Sequence, residues 1–214
     1  MERVYMHTVT ARVLHWINAI SIFILIATGF YIHAPIEFGF LASSMDSARF
    51  WHFVFMWVVA FGFLYRVIWS AITGDWREIM FRLKDIKGFP SLIKYYTFMA
   101  SDHPNYGKYN PGQKMTYTLF PVLVGVQVVT GLVLYWPNEL ATLGTTLGGI
   151  ATVRLIHYLV TWLFICMVAA HVYLASINGW EMLKSIFTGY VPADHAPGVA
   201  HDSAAKPIVT NQSM

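Results

Sequence analysis

Three stretches of this chain run without a single Asp, Glu, Lys or Arg for longer than a bilayer is thick. Val13–Ile36 and Met115–Asn138 have 24 residues each and Leu155–Trp180 has 26. A helix needs about 20 apolar residues to cross the hydrocarbon core. Phe50–Tyr65 adds 16, stops at Arg66 and resumes as Val67-Ile68-Trp69. An arginine near a helix end can snorkel to the interface, so this stretch reads as a fourth span, from Phe50 to about Ile72. All four must be helices, because open strands leave backbone groups unsatisfied in lipid. The sequence therefore predicts an all-α integral membrane protein. Its four-transmembrane-helix bundle has spans at about 13–36, 50–72, 115–137 and 154–178, within one membrane domain of residues 1–190.

Composition agrees. Hydrophobic residues make up 57% and charged residues 12%, against a usual charged share of roughly 25%. That excludes a water-soluble domain, a disordered chain and a nucleic-acid binder, and the net charge of +3 belongs with a membrane surface. The apolar stretch behind Arg3 and Arg12 is too long for a signal-peptide core and reads as a retained span. The single cysteine, Cys166, excludes a disulfide framework, a c-type haem attachment and a Cys-ligated iron–sulfur cluster within the chain.

Charge asymmetry sets direction. The Ile72–Lys114 connection carries Arg77, Arg82, Lys84, Lys87, Lys94, Lys108 and Lys114, and the ends add Arg3, Arg12 and Lys184. The other two connections hold only Arg49 and Arg154 among Glu37, Asp46 and Glu139. The positive-inside rule puts both termini and the long connection in the cytoplasm of a bacterial inner membrane. Trp76 to Met99 mixes aromatic and aliphatic residues with bases, which predicts cytoplasmic interfacial helices between spans 2 and 3, or a cap over the bundle. Residues 191–214, rich in Pro, Gly, Ala and Ser, read as a mobile cytoplasmic tail.

Of nine histidines, His7, His33, His103, His195 and His201 fall in tails or loops, whereas His15, His52, His157 and His171 lie inside spans. An intramembrane histidine is costly and faces the bundle interior, a cavity or a ligand. One alone is equally well explained by a bond to a neighbouring helix. Four whose depths pair point to a ligand. His157 and His171 are 14 residues apart on the last span, which returns them to within about 40° of one face and separates them by about 21 Å. His15 enters from the cytoplasmic side and shares a level with His171. His52 enters from the periplasmic side and shares a level with His157.

Two imidazoles facing across a bundle form the axial set of a six-coordinate haem, which brings its own four equatorial nitrogens. Zinc would need three or four ligands at one depth. Two plus two therefore fits two b-type haems, stacked as an electron wire. Gly29, Gly62, Gly125 and Gly131 lie in the spans and would let a flat ring approach the backbone, although ordinary helix packing explains any one of them. Arg12, Arg49, Arg66 and Arg154 flank the histidine levels, as propionate partners or as interfacial anchors.

Over roughly Val9 to Gly189 the sequence resembles the di-haem cytochrome b (gamma) subunits of membrane-bound formate dehydrogenases and nickel–iron hydrogenases. His15, His52, and His157 and His171 at their 14-residue spacing carry the resemblance. Tyr109-Asn110-Pro111-Gly112-Gln113-Lys114, Gly131-Leu132-Val133-Leu134-Tyr135-Trp136-Pro137 and His171-Val172-Tyr173-Leu174 are similar to the formate dehydrogenase branch in particular. The resemblance implies a periplasmic haem on His52 and His157 and a cytoplasmic haem on His15 and His171. It further implies a menaquinone or ubiquinone pocket at His171, Asn110 and Gly112. Asn110-Pro111-Gly112 is also simply a turn before a helix. An iron–sulfur subunit and a catalytic subunit holding molybdenum, tungsten or nickel–iron would be the partners, because nothing in this chain can host those groups.

The function expected is thus a membrane anchor that passes electrons from a periplasmic iron–sulfur subunit through two haems to quinone, as one half-reaction of an oxidoreductase complex. One alternative is a stand-alone four-helix cytochrome b serving a small periplasmic donor. Another, from a different class, is a histidine-lined metal-ion transporter, which the lack of carboxylates in the four runs disfavours.

Overall fold

The computed structural model describes residues 2–35, 44–74, 76–100, 106, 110–177 and 180–193. Among these, four helices are long and apolar enough to cross a membrane: α1 (Val9–His33), α2 (Met45–Thr73), α5 (Pro111–Tyr135) and α7 (Ile150–Ile177). Each begins about one turn before its charge-free run. The cause is local: caps, not charges, set helix starts. Thr8 accepts from the Ala11 N–H, Ser44 from the Ser47 N–H and Asn110 from the Gln113 N–H. The charged first turns, with Arg12, Asp46 and Lys114, sit where a span meets the interface. α2 ends on Gly74 at φ 73°, a left-handed conformation that glycine adopts without steric cost.

The bundle is apolar outside. Phe61 is 63% exposed and Ile72 77%, which only lipid can cover at this density. Inside, α1 packs along α2 and α5 along α7, with α2 touching α5, while α7 meets α1 through aromatic side chains, His33 stacking on Tyr158 at 4.6 Å and Phe30 meeting Trp162 edge-on at 5.3 Å. Leu123, Val124, Val160 and Phe164 form the core between α5 and α7, flanked by Val59 and Phe63 of α2.

Between the second and third spans lie α3 (Trp76–Ile79), a 3-10 turn (Leu83–Gly88) and α4 (Phe89–Tyr96). This connection caps the start of α5. The Phe81 N–H donates to Thr118 Oγ1 at 2.8 Å, and Lys114 pairs with Asp85 at 3.2 Å. It also turns Leu83, Phe98 and Met99 outward, so the connection is a cap with an exposed apolar rim. α6 (Ala141–Thr146) occupies the short connection before α7.

The two ends of the described chain are tied together. β1 (Arg3–Tyr5) pairs antiparallel with β2 (Tyr190–Pro192), and α8 (Trp180–Thr188) leads into it. Arg12 donates to the Phe187 carbonyl, and Trp16 Nε1 donates to the Ile186 carbonyl at 3.3 Å. The first residues beyond position 190 therefore belong to the fold, with Val191 fully buried. Residues 194–214, the rest of the expected tail with His195 and His201, lie outside the described residues, as do Glu37, His103, Lys108 and Tyr109.

Candidate functional site

The four intramembrane histidines meet in two pairs, each with one ring from α7. His52 of α2 faces His157 of α7 with ring centroids 6.4 Å apart and planes at 59°. His15 of α1 faces His171 of α7 at 6.3 Å and 50°. An imidazole nitrogen binds a first-row metal at about 2.0 Å and lies about 1.2 Å from its own ring centroid, so two rings sharing one iron have centroids about 6.4 Å apart. Both pairs have that spacing. Among the described residues no group of three or more His, Cys, Asp or Glu converges as a metal site. The donor set is therefore two imidazoles per level, which suits haem.

Small residues and hydroxyls frame the pair nearer α6. A Cβ added at Gly29 would stand 3.3 Å from His52 Cε1, and one at Gly131 would stand 3.5 Å from His157 Cε1. Beside each glycine a threonine reaches the imidazole. Thr28 Oγ1 lies 3.0 Å from His52 Nδ1, and Thr130 Oγ1 lies 2.8 Å from His157 Nδ1. Gln127 ties α5 to α7, donating to the His157 carbonyl at 3.1 Å and to Thr161 Oγ1 at 3.0 Å. Of the other two glycines, Gly62 backs onto Asn18 and Gly125 faces open space. Sequence reasoning singled out the glycines and missed Thr28, Thr130 and Gln127. The available signal was a polar residue inside a charge-free run, repeated as Thr-Gly at 28–29 and 130–131.

The pair nearer the termini is more open. His15 is half-buried with its ring edge-on to Trp16, and His171 is exposed. Arg12, one turn before His15, keeps its Nε buried with no hydrogen-bond partner. An orphaned cationic donor at this level fits a haem propionate. Arg49, Arg66 and Arg154 are exposed, as interfacial anchors would be. His7 lies beside this end, where burial and the Arg12 guanidinium hold its imidazole below the usual pKa.

Asn110 and Gly112 have structural work of their own. The Asn110 side-chain oxygen accepts from the Gln113 N–H at 2.8 Å, and Gln113 Oε1 accepts from the Asn110 N–H at 2.9 Å, a reciprocal capping box. A Cβ on Gly112 would stand 3.3 Å from Leu92 of α4. The same short helix sends its Tyr96 carbonyl to the Tyr173 hydroxyl at 3.5 Å, one turn or less from His171. α4 thus bridges the Asn110–Gly112 turn and the His171 level. Burial pushes the Asp85 carboxyl up, but the Arg82 N–H, Lys114 and Lys84 together hold it below its usual range.

Comparison with known proteins follows the same line. The family model for prokaryotic cytochrome b561 matches residues 6–189. A probable Ni/Fe-hydrogenase B-type cytochrome subunit of Azotobacter vinelandii is 29% identical over 215 residues, covering 85% of this chain and 89% of the relative. Its namesake in Bradyrhizobium diazoefficiens is 29% identical over 221 residues, covering 89% and 85%. A putative protein-methionine-sulfoxide reductase subunit of Azospira oryzae is 26% identical over 179 residues, covering 80% and 90%. These relatives lend no support to the formate dehydrogenase branch. The Asn110-Pro111-Gly112-Gln113 stretch that pointed there forms a capping box, which many helix starts use for their own stability.

Proposed function

The chain belongs to the prokaryotic cytochrome b561 family, and on that premise we propose that it is the di-haem membrane anchor of a respiratory oxidoreductase complex. It relays electrons between an iron–sulfur partner on the periplasmic face and a quinone near the cytoplasmic face. One observation carries this reading: the intramembrane histidines face each other in two pairs, at 6.4 and 6.3 Å, one toward each end of α7. His52 and His157 would hold one b haem, and His15 and His171 the other. Held by two imidazoles, such a group would supply one-electron transfer and would leave no open position for oxygen.

The chain's own residues shape the two ends differently. His52 and His157 sit among apolar side chains and hydroxyls, which orient the rings and keep water away. His15 and His171 lie in the more open pair, so a quinone dissolved in the bilayer can approach them. Asn110 offers its side-chain N–H₂ to a quinone carbonyl, because its oxygen is already committed to the cap. The Gly112 N–H, in the first helical turn, is a second donor. Arg12 Nε is placed to bind an anionic propionate.

With one cysteine the chain holds no Cys-ligated iron–sulfur cluster of its own, so it exchanges electrons with another protein, and the sequence allows either direction, quinone reduction or quinol oxidation. The hydrogenase names of the relatives from Azotobacter and Bradyrhizobium favour a nickel–iron catalytic subunit with its iron–sulfur subunit. The Azospira relative favours a second reading, in which the same membrane domain serves a methionine-sulfoxide reductase. The neighbouring genes and the proteins that copurify after gentle solubilisation distinguish the two.

The ligand assignment is tested by haem counting. Protein from a haem-replete host should carry two low-spin b haems per chain. His52→Ala should retain one, and His15→Ala should retain one and lose quinone reduction. Two haems surviving in either variant would overturn the pairing.

A further inference from the structure

Thr28 and Thr130 occupy matching places. Each precedes a glycine in a span, each is 3% exposed, and each meets a histidine of the helix packed alongside. A threonine hydroxyl has one hydrogen to give. Thr28 Oγ1 lies 2.6 Å from the Ile24 carbonyl, and Thr130 Oγ1 lies 2.6 Å from the Val126 carbonyl. A carbonyl can only accept, so each hydroxyl hydrogen is spent there. At 3.0 and 2.8 Å from Nδ1 the threonine oxygens must then accept, and Nδ1 of His52 and of His157 must carry the proton. That tautomer leaves the Nε2 lone pair of both rings for a metal. Among the described residues neither His15 nor His171 has a comparable hydrogen-bond partner.

We propose that Thr28 and Thr130 are positioning residues that lock His52 and His157 as Nε2 ligands and hold down the reduction potential of the haem between them. The inference rests on the reading of these histidines as haem ligands. A ring that donates Nδ1–H to an acceptor becomes the more basic ligand. A more basic ligand favours ferric over ferrous iron, and second-shell hydrogen bonding is one of the protein's levers on haem potential. The same two hydroxyls also fix the ring rotation, because the threonine oxygen is anchored to its own helix by the bond to the carbonyl four residues back.

The experiment is a potentiometric titration of the two haems, with low-temperature electron paramagnetic resonance, in wild type and in Thr28→Val, Thr130→Val, Thr28→Ser and Thr130→Ser. Valine keeps the shape and removes the acceptor, whereas serine keeps the hydroxyl. Each Val variant should retain both haems and raise one midpoint potential, equivalent to a several-fold rise in that haem's reduction constant. The other haem should not move, and the Ser variants should return to wild type. Loss of one haem in Val but not in Ser would support the same role. Unchanged potentials in the Val variants, or Ser variants that behave like Val, would reduce the threonines to packing and overturn the proposal. Failure of the underlying ligand reading shows separately, as wild-type protein without haem or a His52→Ala variant with two. In that event ¹⁵N spectra of haem-free protein still report the tautomer: Nδ1–H on His52 and His157 supports the threonine locks and Nε2–H refutes them.

Discussion

Asn110 joins one observed role to one proposed role, and the two are separable because its amide has two ends. The oxygen caps α5 by accepting from the Gln113 N–H at 2.8 Å, and the nitrogen is the proposed quinone donor. Asn110→Asp keeps the acceptor, places negative charge at a helix N-terminus where it is favourable, and removes the donor. Its melting temperature and both haems should stay as in wild type while KM for quinone rises several-fold. Asn110→Ala should in addition cost about 1 kcal/mol of stability through the lost cap. Wild-type quinone kinetics in the Asp variant would leave the residue a cap alone. His7 yields a pH prediction. Its folded pKa is depressed by burial and by Arg12, so between that value and the ordinary imidazole value of about 6.5 the unfolded chain binds more protons. The stabilising contribution is therefore full above about pH 6.5 and is lost as pH falls towards the folded pKa. The protection factors of the Met6 and His7 amides, which donate to the Gly189 carbonyl at 2.8 and 3.2 Å, should fall on acidification from pH 7.5 to 5.5, once the intrinsic slowing of exchange is divided out, and His7→Gln should remove that fall. At this scale the four histidines were legible from spacing and depth. The threonines were not, since a hydroxyl inside a span bonds its own helix by default, and its second partner depends on which helix lies alongside.

The working element is a helix pair rather than a single span. In α1 with α2, and again in α5 with α7, the first helix supplies a Thr-Gly step and the second supplies the histidine seated on it. The glycine matters because the imidazole edge already stands at van der Waals distance from where a Cβ would be. Gly29→Ala, with its Cβ 3.3 Å from His52 Cε1, needs a shift of only a few tenths of an ångström and should keep both haems. Gly29→Leu should displace the ring and lose the haem of His52 and His157, as read by haem stoichiometry. Helix propensity works in the opposite direction, since Leu exceeds Gly by close to 1 kcal/mol in a helix interior. Loss of haem would thus report the collision rather than a weakened helix. Span existence was legible from run length. The helix starts were shifted by a turn because Thr8, Ser44 and Asn110 cap ahead of the apolar residues. The strand pairing of residues 3–5 with residues 190–192 left no sequence signal, because three-residue strands are too short to show a period.

At the scale of the molecule, four spans and one basic connection make a protein with a direction. The strands Arg3–Tyr5 and Tyr190–Pro192 pair, so the two ends of the described chain lie on one side, and the basic residues of the α2–α5 connection, with Arg3, Arg12 and Lys184, lead us to propose that this side is the cytoplasm. Alkaline phosphatase, active only outside the cytoplasm, should be inactive when fused after residue 193 or within residues 97–100, and active when fused within residues 137–149. Activity at position 193 would invert the assignment and with it the sides of quinone and partner. The number of spans, the depths of the four histidines and the restriction to membrane chemistry were determined by the sequence itself, because each depends on a quantity local to the chain: run length, composition or rise per residue. Which ring faces which across the bundle, which hydroxyl holds which imidazole and where Arg12 leaves an unpaired donor were decided only by the tertiary structure. These depend on the rotation and spacing of one helix relative to another, which packing of whole helix faces sets and no count along the chain contains.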